Sequence, residues 1–311
     1  MQFSKGHGTE NDFVVLPDPD GALDLTPARV AALCDRRRGL GADGVLRVVR
    51  WAALDPGGPA PQPGVEWFMD YRNADGSIAE MCGNGVRVFA RYLEHAGWLP
   101  NGETPVGTRA GVRTVRVAGD EISVDMGPAA VGEPSTASID GDAFAGVAVD
   151  LGNPHLACVT EAAIDGLDLT RPPGHDPALF PHGVNVEFVS PVDAHGEVVM
   201  RVHERGVGET RSCGTGTVAA AVAALRHAGR VTGAVAVHTA GGRLRVTVDE
   251  QTTILHGPAV LVAHGELTHE WWASARREPA RLGTSGLPEP WRAGIKEDGG
   301  ALTWEHDFHD D

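Results

Sequence analysis

The sequence predicts a mixed α/β (α+β) chain built from two similar domains related by a pseudo-twofold. Three observations lead there. Short alternating apolar stretches bounded by Gly, Pro, Asn and Asp dominate the chain, the pattern of strands. Only 26–37, 83–96 and 214–228 read as helices. The last two sit in matching surroundings: strands, a polar turn, Cys-Gly-x-Gly, the helix, His-Ala-Gly, then strands again. Asn73 and Glu204 precede Cys82 and Cys213 at the same spacing. So many coincident features imply an internal duplication, and a site at the interface would receive one cysteine from each half.

Each element follows from local signals. Residues 1–16 read as strand–turn–strand, with "GHGTEND" as the turn. Thr26 caps a short helix and Pro27 takes its first position. The glycine-rich "RGLGADG" (38–44) leads into the strand "VLRVVRW", and "DPGGPAPQPG" (55–64) is a peripheral loop. "VEWFMDYRN" (65–73) alternates as a strand up to the first cysteine turn. Gly97 stops the helix that begins at 83. Strand-like pieces follow at 108–127, 146–160, 185–192 and 196–206. Gly229 stops the helix from 214, and 233–250 reads as a hairpin turning at Gly241-Gly242. Residues 254–268 complete the strands, after which the pattern dissolves into an irregular tail.

Composition narrows the chemistry. A chain of 311 residues corresponds to about two domains. Apolar content of 42% and charged content of 22% are ordinary for globular proteins. A net charge of −16 argues against nucleic-acid partners, whose binding depends on neutralised phosphates. No apolar run is long enough to span a bilayer, and the N-terminus lacks the character of a signal peptide, so no membrane partner and a cytoplasmic location are expected. Cys34, Cys82, Cys158 and Cys213 contain no CxxC pair, so neither a metal site nor a disulfide framework is expected. The two lysines, Lys5 at the chain start and Lys296 in the tail, are poor Schiff-base candidates, which disfavours pyridoxal phosphate.

A cysteine at a helix start meets unpaired N–H groups and the positive dipole end, which should lower its pKa. The same N–H groups can bind a carboxylate. Two such elements face to face suit one reaction. One sulfur removes a proton from a carbon that bears a carboxylate, and the other returns a proton to the opposite face. The pair must rest as one thiolate and one thiol. Cys34 and Cys158 lack the glycine context and are expected to be packed apolar side chains.

Six stretches in order carry a further signal: "HGTENDF" (7–13), "GLGADG" (39–44), "YRNADGSIAEMCGNG" (71–85), "GNPH" (152–155), "VNVEF" (184–188) and "ERGVGETRSCGTG" (204–216). Over residues 1 to about 270 the chain resembles the diaminopimelate epimerases, amino-acid epimerases that use no cofactor. The resemblance implies interconversion of LL- and meso-2,6-diaminopimelate, a step of lysine and peptidoglycan-precursor biosynthesis, in a homodimer. It implies two curved, mainly antiparallel sheets, each around a central helix, with the site in the cleft between them. The implied domains are 1–118, completed by about 264–275, and 119–263, with 276–311 as an extension of unknown role. Cys82 would take the proton from the L centre and Cys213 protonate the other face. Gly83, Asn84, Gly214 and Thr215 would hold the reacting carboxylate. Asn11, Asn73, Asn153, Asn185, Glu204 and Arg205 match substrate-binding positions, and His155 and Glu204 would tune the thiols. Gly44 stands where some members carry a substrate-contacting glutamine.

Two rival enzymes stay open on the residues alone. Proline racemases and hydroxyproline epimerases also use two cysteines, but tend to carry a histidine where this chain has Asn84. An epimerase of the same type acting on another amino acid is the other. A third reading, from a different class, is a non-catalytic amino-acid-binding protein with the same cleft.

Overall fold

The computed structural model describes residues 1–99, 102–276, 295–298 and 301–304. The chain opens with the hairpin β1 (Gln2–Gly8) and β2 (Asn11–Pro17). Helix α1 (Pro27–Cys34) starts as expected, with the Thr26 hydroxyl accepting from the Arg29 N–H. It stops three residues early because the Asp35 carboxylate captures the N–H groups of Arg37 and Arg38. There follow β3 (Gly44–Arg50), β4 (Trp67–Asn73), α2 (Gly83–His95), β5 (Glu103–Thr108), β6 (Gly111–Ala118) and β7 (Glu121–Gly127).

The second stretch carries β8 (Ala130–Ile139), β9 (Asp142–Asp150), β10 (Pro154–Val159), β11 (Asn185–Val189), β12 (Glu197–Glu204) and the short β13 (Gly208–Thr210). Then come α3 (Gly214–His227), β14 (Gly233–Thr239), β15 (Gly242–Val248), β16 (Thr253–Pro258) and β17 (Val260–Glu266). A helix the sequence pattern did not signal, α4 (His269–Ser274), is capped by the Thr268 hydroxyl. Its Trp271 and Trp272 pack on the cluster of Val14, Leu16, Val30 and Leu33, and the Arg29 guanidinium lies 4.3 Å from the Trp272 ring centroid. In the expected irregular tail, β18 (Ile295–Asp298), which includes Lys296, pairs with β19 (Ala301–Trp304). The rest of the extension from 277 lies outside the described residues. Among the described residues no helix is long and apolar enough to cross a membrane.

The strands form one continuous ladder, β17-β1-β2-β3-β4-β5-β6-β7 on one side and β16-β15-β14-β12-β11-β10-β9-β8 on the other, with β13 added to β12. The two runs have the same sequence of pairings. The parallel pairs β2–β3 and β4–β5 correspond to β10–β11 and β12–β14, and every other step is antiparallel. The antiparallel pair β7–β16 joins them. β17, near the end of the chain, completes the first run by pairing with β1. The expected division after residue 118 falls in the turn between β6 and β7, which are themselves hydrogen-bonded.

Each run wraps one helix. α2 packs on β1, β2, β6, β7 and β17, whereas α3 packs on β9 to β12, β14 and β15. In α3 every residue from Gly214 to Leu225 is buried. Alanine favours helix and has little bulk, so "TVAAAVAAL" lets strands close in on all sides. A single apolar cluster joins the two halves, including Val86 and Phe89 of α2 and Val218 and Ala221 of α3.

Candidate active site

The two long helices meet start to start. A Cβ built on Gly214 would lie 2.9 Å from the Gly83 Cα and 3.2 Å from the Asn84 nitrogen. Only glycine permits this approach, because real Cβ atoms do not come that close. Each helix is capped by a cysteine in extended conformation. Cys82 Sγ accepts from the Gly85 N–H and Cys213 Sγ from the Gly216 N–H, both at 3.4 Å. All four cysteines are free. Cys34 and Cys158 lie within apolar clusters remote from these caps.

Around Cys82, Asn11 Oδ1 lies 3.5 Å from the sulfur and accepts from Asn84 Nδ2 at 3.4 Å. Asn84 Nδ2 also donates to the Ser212 carbonyl at 3.1 Å, so the first helix start is tied to the residue before the second cysteine. Asn11 Nδ2 donates to Asp43, held in turn by Arg36. Around Cys213, the Thr215 hydroxyl lies 3.6 Å from the sulfur and accepts from Asn153 Nδ2. Asn153 Oδ1 is 3.2 Å from His155 Nε2, and His155 Nδ1 is 2.6 Å from Glu187 Oε1. The carboxylate of Glu204 faces Cys213 and accepts from the Thr210 hydroxyl.

Cys82, Asn11, Gly83 and Asn84 thus share one hydrogen-bonded cluster, and Cys213, Thr215, Asn153, His155 and Glu204 share the other, with Gly83 against Gly214. Asn185 and Arg205 form a separate pair: Asn185 Oδ1 accepts from the Arg205 N–H and its Nδ2 donates to the Pro154 carbonyl. The Arg205 side chain is exposed. Asn73, at the end of β4, bonds Ser77, and among the described residues no hydrogen bond joins its side chain to the thiol clusters. At Gly44 an added Cβ would meet the Arg72 carbonyl at 2.6 Å and the Tyr71 ring at 2.7 Å, so no longer side chain fits this backbone arrangement.

The lowered thiol pKa expected from the helix starts is overturned. Burial pushes Cys82 up to about 11, although the N–H groups of Gly85 and Asn84 and the charge of Arg87 pull it down. Burial, then Glu204 and Glu187, also push Cys213 up, against Gly216 and Thr215. Removing a thiolate from water costs more than a few N–H contacts return. Burial likewise raises the carboxyls of Glu187 and Glu204.

Three participants escaped the sequence reading. Glu187 lies within "VNVEF", fully buried, with Oε2 lacking a partner. A charged residue in an otherwise apolar strand was the available signal. Ser212 and Thr9, whose hydroxyls lie 2.8 Å apart, link the halves and carried no signal beyond proximity to the motifs.

The arrangement offers two thiol-capped helix starts in contact, each with its own N–H groups, which suits moving protons on and off a carbon next to a carboxylate. Comparison with known proteins agrees in class. The family model described as diaminopimelate epimerase matches residues 3–131 and 147–262. The diaminopimelate epimerase of Rhodococcus erythropolis is 58% identical over 288 residues, covering 88% of this chain and 98% of the relative. That of Mycolicibacterium smegmatis is 58% identical over 287 residues, with 88% and 98% covered. Among solved structures, a probable proline racemase from Agrobacterium radiobacter aligns with TM-score 0.62 at 15% identity, covering 86% of this chain and 93% of that one. A hydroxyproline epimerase from Agrobacterium vitis aligns with TM-score 0.59 at 16% identity, with 89% and 98% covered. These two establish a shared fold of paired, similar halves. By the extent of the family match and the identity to its curated members, the chain belongs to the diaminopimelate epimerase family.

Proposed function

We propose that the chain interconverts LL- and meso-2,6-diaminopimelate by direct proton transfer, with Cys82 and Cys213 as the two bases. The observation that carries this reading is the abutment of two helix starts, each capped by a thiol. A thiolate on one side takes the α-proton, and the C–H electron pair spreads into the carboxylate. The thiol on the other side gives its proton to the opposite face. The stereocentre inverts and the two sulfurs exchange protonation states. Charge developing on the carboxylate would be met by the N–H groups at Gly83, Asn84, Gly214 and Thr215, and such preorganised donors usually supply the largest catalytic effect.

In this reading Asn11, Asn73, Asn153, Asn185, Glu204 and Arg205 hold the remaining ammonium and carboxylate groups, and His155 and Glu204 set the thiols. An ammonium group bound beside the sulfurs would oppose the effect of burial and bring the thiolate within reach near neutral pH. The protons move between sulfur and carbon, so the reaction as written needs no cofactor. The reading includes a homodimer in the cytoplasm. Light scattering that finds only monomer at micromolar concentration would remove the dimer.

The test is incubation of the reduced, purified protein with LL-diaminopimelate in D2O. Deuterium should enter at the α-carbon as the meso isomer appears. Absence of exchange sinks the proposal, and exchange into proline instead would favour the rival substrate class.

A further inference from the structure

The matching strand pairings make the two halves comparable residue by residue, and three buried positions near the thiols differ in charge. In the first half, Phe13 and Leu46 lie beneath Gly85, within 3.5 Å and 3.3 Å of a Cβ built there. In the second half the corresponding positions on β10 and β11 are His155 and Glu187, and Glu187 Oε1 would lie 2.7 Å from a Cβ on Gly216. The third difference is on the helices themselves. Arg87 follows Cys82 at the spacing at which Val218 follows Cys213.

Arg87 is fully buried, and among the described residues no carboxylate lies within ion-pair distance of it. Its guanidinium folds back along the first turn of α2. It donates to the Gly83 carbonyl at 3.4 Å, Asn84 Oδ1 at 2.8 Å, the Thr9 hydroxyl at 3.2 Å and the Pro258 carbonyl at 3.2 Å. Every one of these acceptors is neutral. A buried cation with only neutral partners favours a nearby anion, and the thiol that caps this same turn is Cys82.

We propose that Arg87 is the positioning residue that assigns the negative charge of the cysteine pair to Cys82, while Glu187 and Glu204 keep the proton on Cys213. This rests on the two-thiol reading above and deepens it. The charged or titratable groups facing Cys82 are Arg87 on its own helix, Tyr71 on β4 and Glu204 from the other half. Those facing Cys213 are Glu204 and Glu187, the latter paired with His155. Glu204 acts on both sulfurs, so the charges that differ between the two caps are Arg87 at Cys82 and Glu187 at Cys213.

The test uses the full-length reduced protein. Alkylation by iodoacetamide is followed at each cysteine by peptide mass spectrometry across pH, and the midpoint of each profile is read, because the midpoint is independent of access. The Cys82 midpoint should lie below that of Cys213. Arg87→Gln should move the Cys82 midpoint up by about one pH unit, roughly tenfold slower alkylation at fixed pH, and Arg87→Lys should restore it. The acid limb of kcat/KM with LL-diaminopimelate should shift in the same direction. A Cys213 midpoint at or below that of Cys82 overturns the assignment, as does a folded Arg87→Gln protein with an unmoved Cys82 midpoint. If Arg87→Gln does not fold, the order of midpoints in the unmodified protein decides. Failure of the α-deuteration assay would remove the epimerase reading while leaving the alkylation order as an independent result.

Discussion

α2 and α3 begin with the same four-residue plan and meet at their glycines, yet they are built for different surroundings. α2 is amphipathic: Arg91 bonds Glu94 and backbone carbonyls at the surface, and Arg87 runs inward to the helix start. α3 is apolar on all sides through Leu225, so no ionised side chain can be placed along its buried turns. The polar groups near Cys213 come instead from strands: His155 on β10, Glu187 on β11 and Glu204 on β12. The two halves thus present two similarly placed sulfurs whose buried surroundings differ in charge. A reaction that needs one base and one acid at the same instant benefits from that difference.

The comparison can be broken most severely at the sulfurs themselves. Cys82→Ser and Cys213→Ser should each lower epimerisation by about a thousandfold or more, measured as meso product formed from the LL isomer. A variant that retains near-normal turnover would show that its sulfur is not one of the two bases. The next largest effect is on stability. Glu187→Leu leaves His155 Nδ1 buried without its partner and should cost about 3 kcal/mol in urea unfolding. The double change His155→Phe with Glu187→Leu imports the pair found beneath α2. It should recover most of that stability, since well-packed apolar residues can replace a buried ionic pair, while activity stays low. Recovery of both would deny the polar pair a role in setting Cys213.

Smaller effects sharpen the contact between the helices. Gly214→Ala drives a methyl into the Gly83 backbone and should cost about 1–3 kcal/mol. Gly83→Ala meets the flexible ends of Leu255 and Met126, both at 3.1 Å, and should cost less than about 1 kcal/mol. Equal costs would mean that the helix starts separate more easily than the packing implies.

The smallest expected effect is the response to acid. Burial opposes ionisation of Asp12, but bonds from Arg36 and Lys5 outweigh it and hold its pKa low. At Asp70, burial is likewise outweighed, by Arg72 and Arg109. The unfolded chain binds protons at these groups more readily, so the first half loses stability as pH falls below the usual carboxylate range. Glu187 and Glu204 shift the other way, so the folded state holds their protons more tightly, and their contribution declines as pH rises above that range. Hydrogen exchange between about pH 5 and about pH 2 should therefore show protection falling first in β2 to β4. Earlier loss in β10 to β12 would reverse the assignment.

How far the chain could be read from its letters varied with burial. Thr26-Pro27, Gly97 and Gly229 marked helix ends because capping is local, and both glycines adopt the positive φ that a helix stop requires. The strand β8 shows no clean alternation: most of its residues are exposed whether polar or not, and Pro134 sits at an irregularity in its pairing. Its turn, Asp140-Gly141, is a hairpin signal, with both residues at positive φ. α4 was missed because a six-residue helix with no fully buried side chain leaves almost no periodicity.

The duplicated Cys-Gly-x-Gly plan, the two long helices and the family resemblance were all present in one dimension, because each depends on residue order and near-neighbour backbone preferences. The protonation chemistry was not. A helix start by itself lowers a thiol pKa, and the letters around Cys82 and Cys213 pointed that way. The folded protein reverses the direction because desolvation outweighs the helix-start N–H groups at the half-buried Cys82 and the buried Cys213. It also brings together residues far apart in the chain: Ser212 with Thr9 and Asn84, Glu187 with His155 and Gly216, and Gly83 with Gly214. Desolvation and through-space charge have no expression along the chain, so the acidity of the two thiols is set only when the two halves are packed against each other.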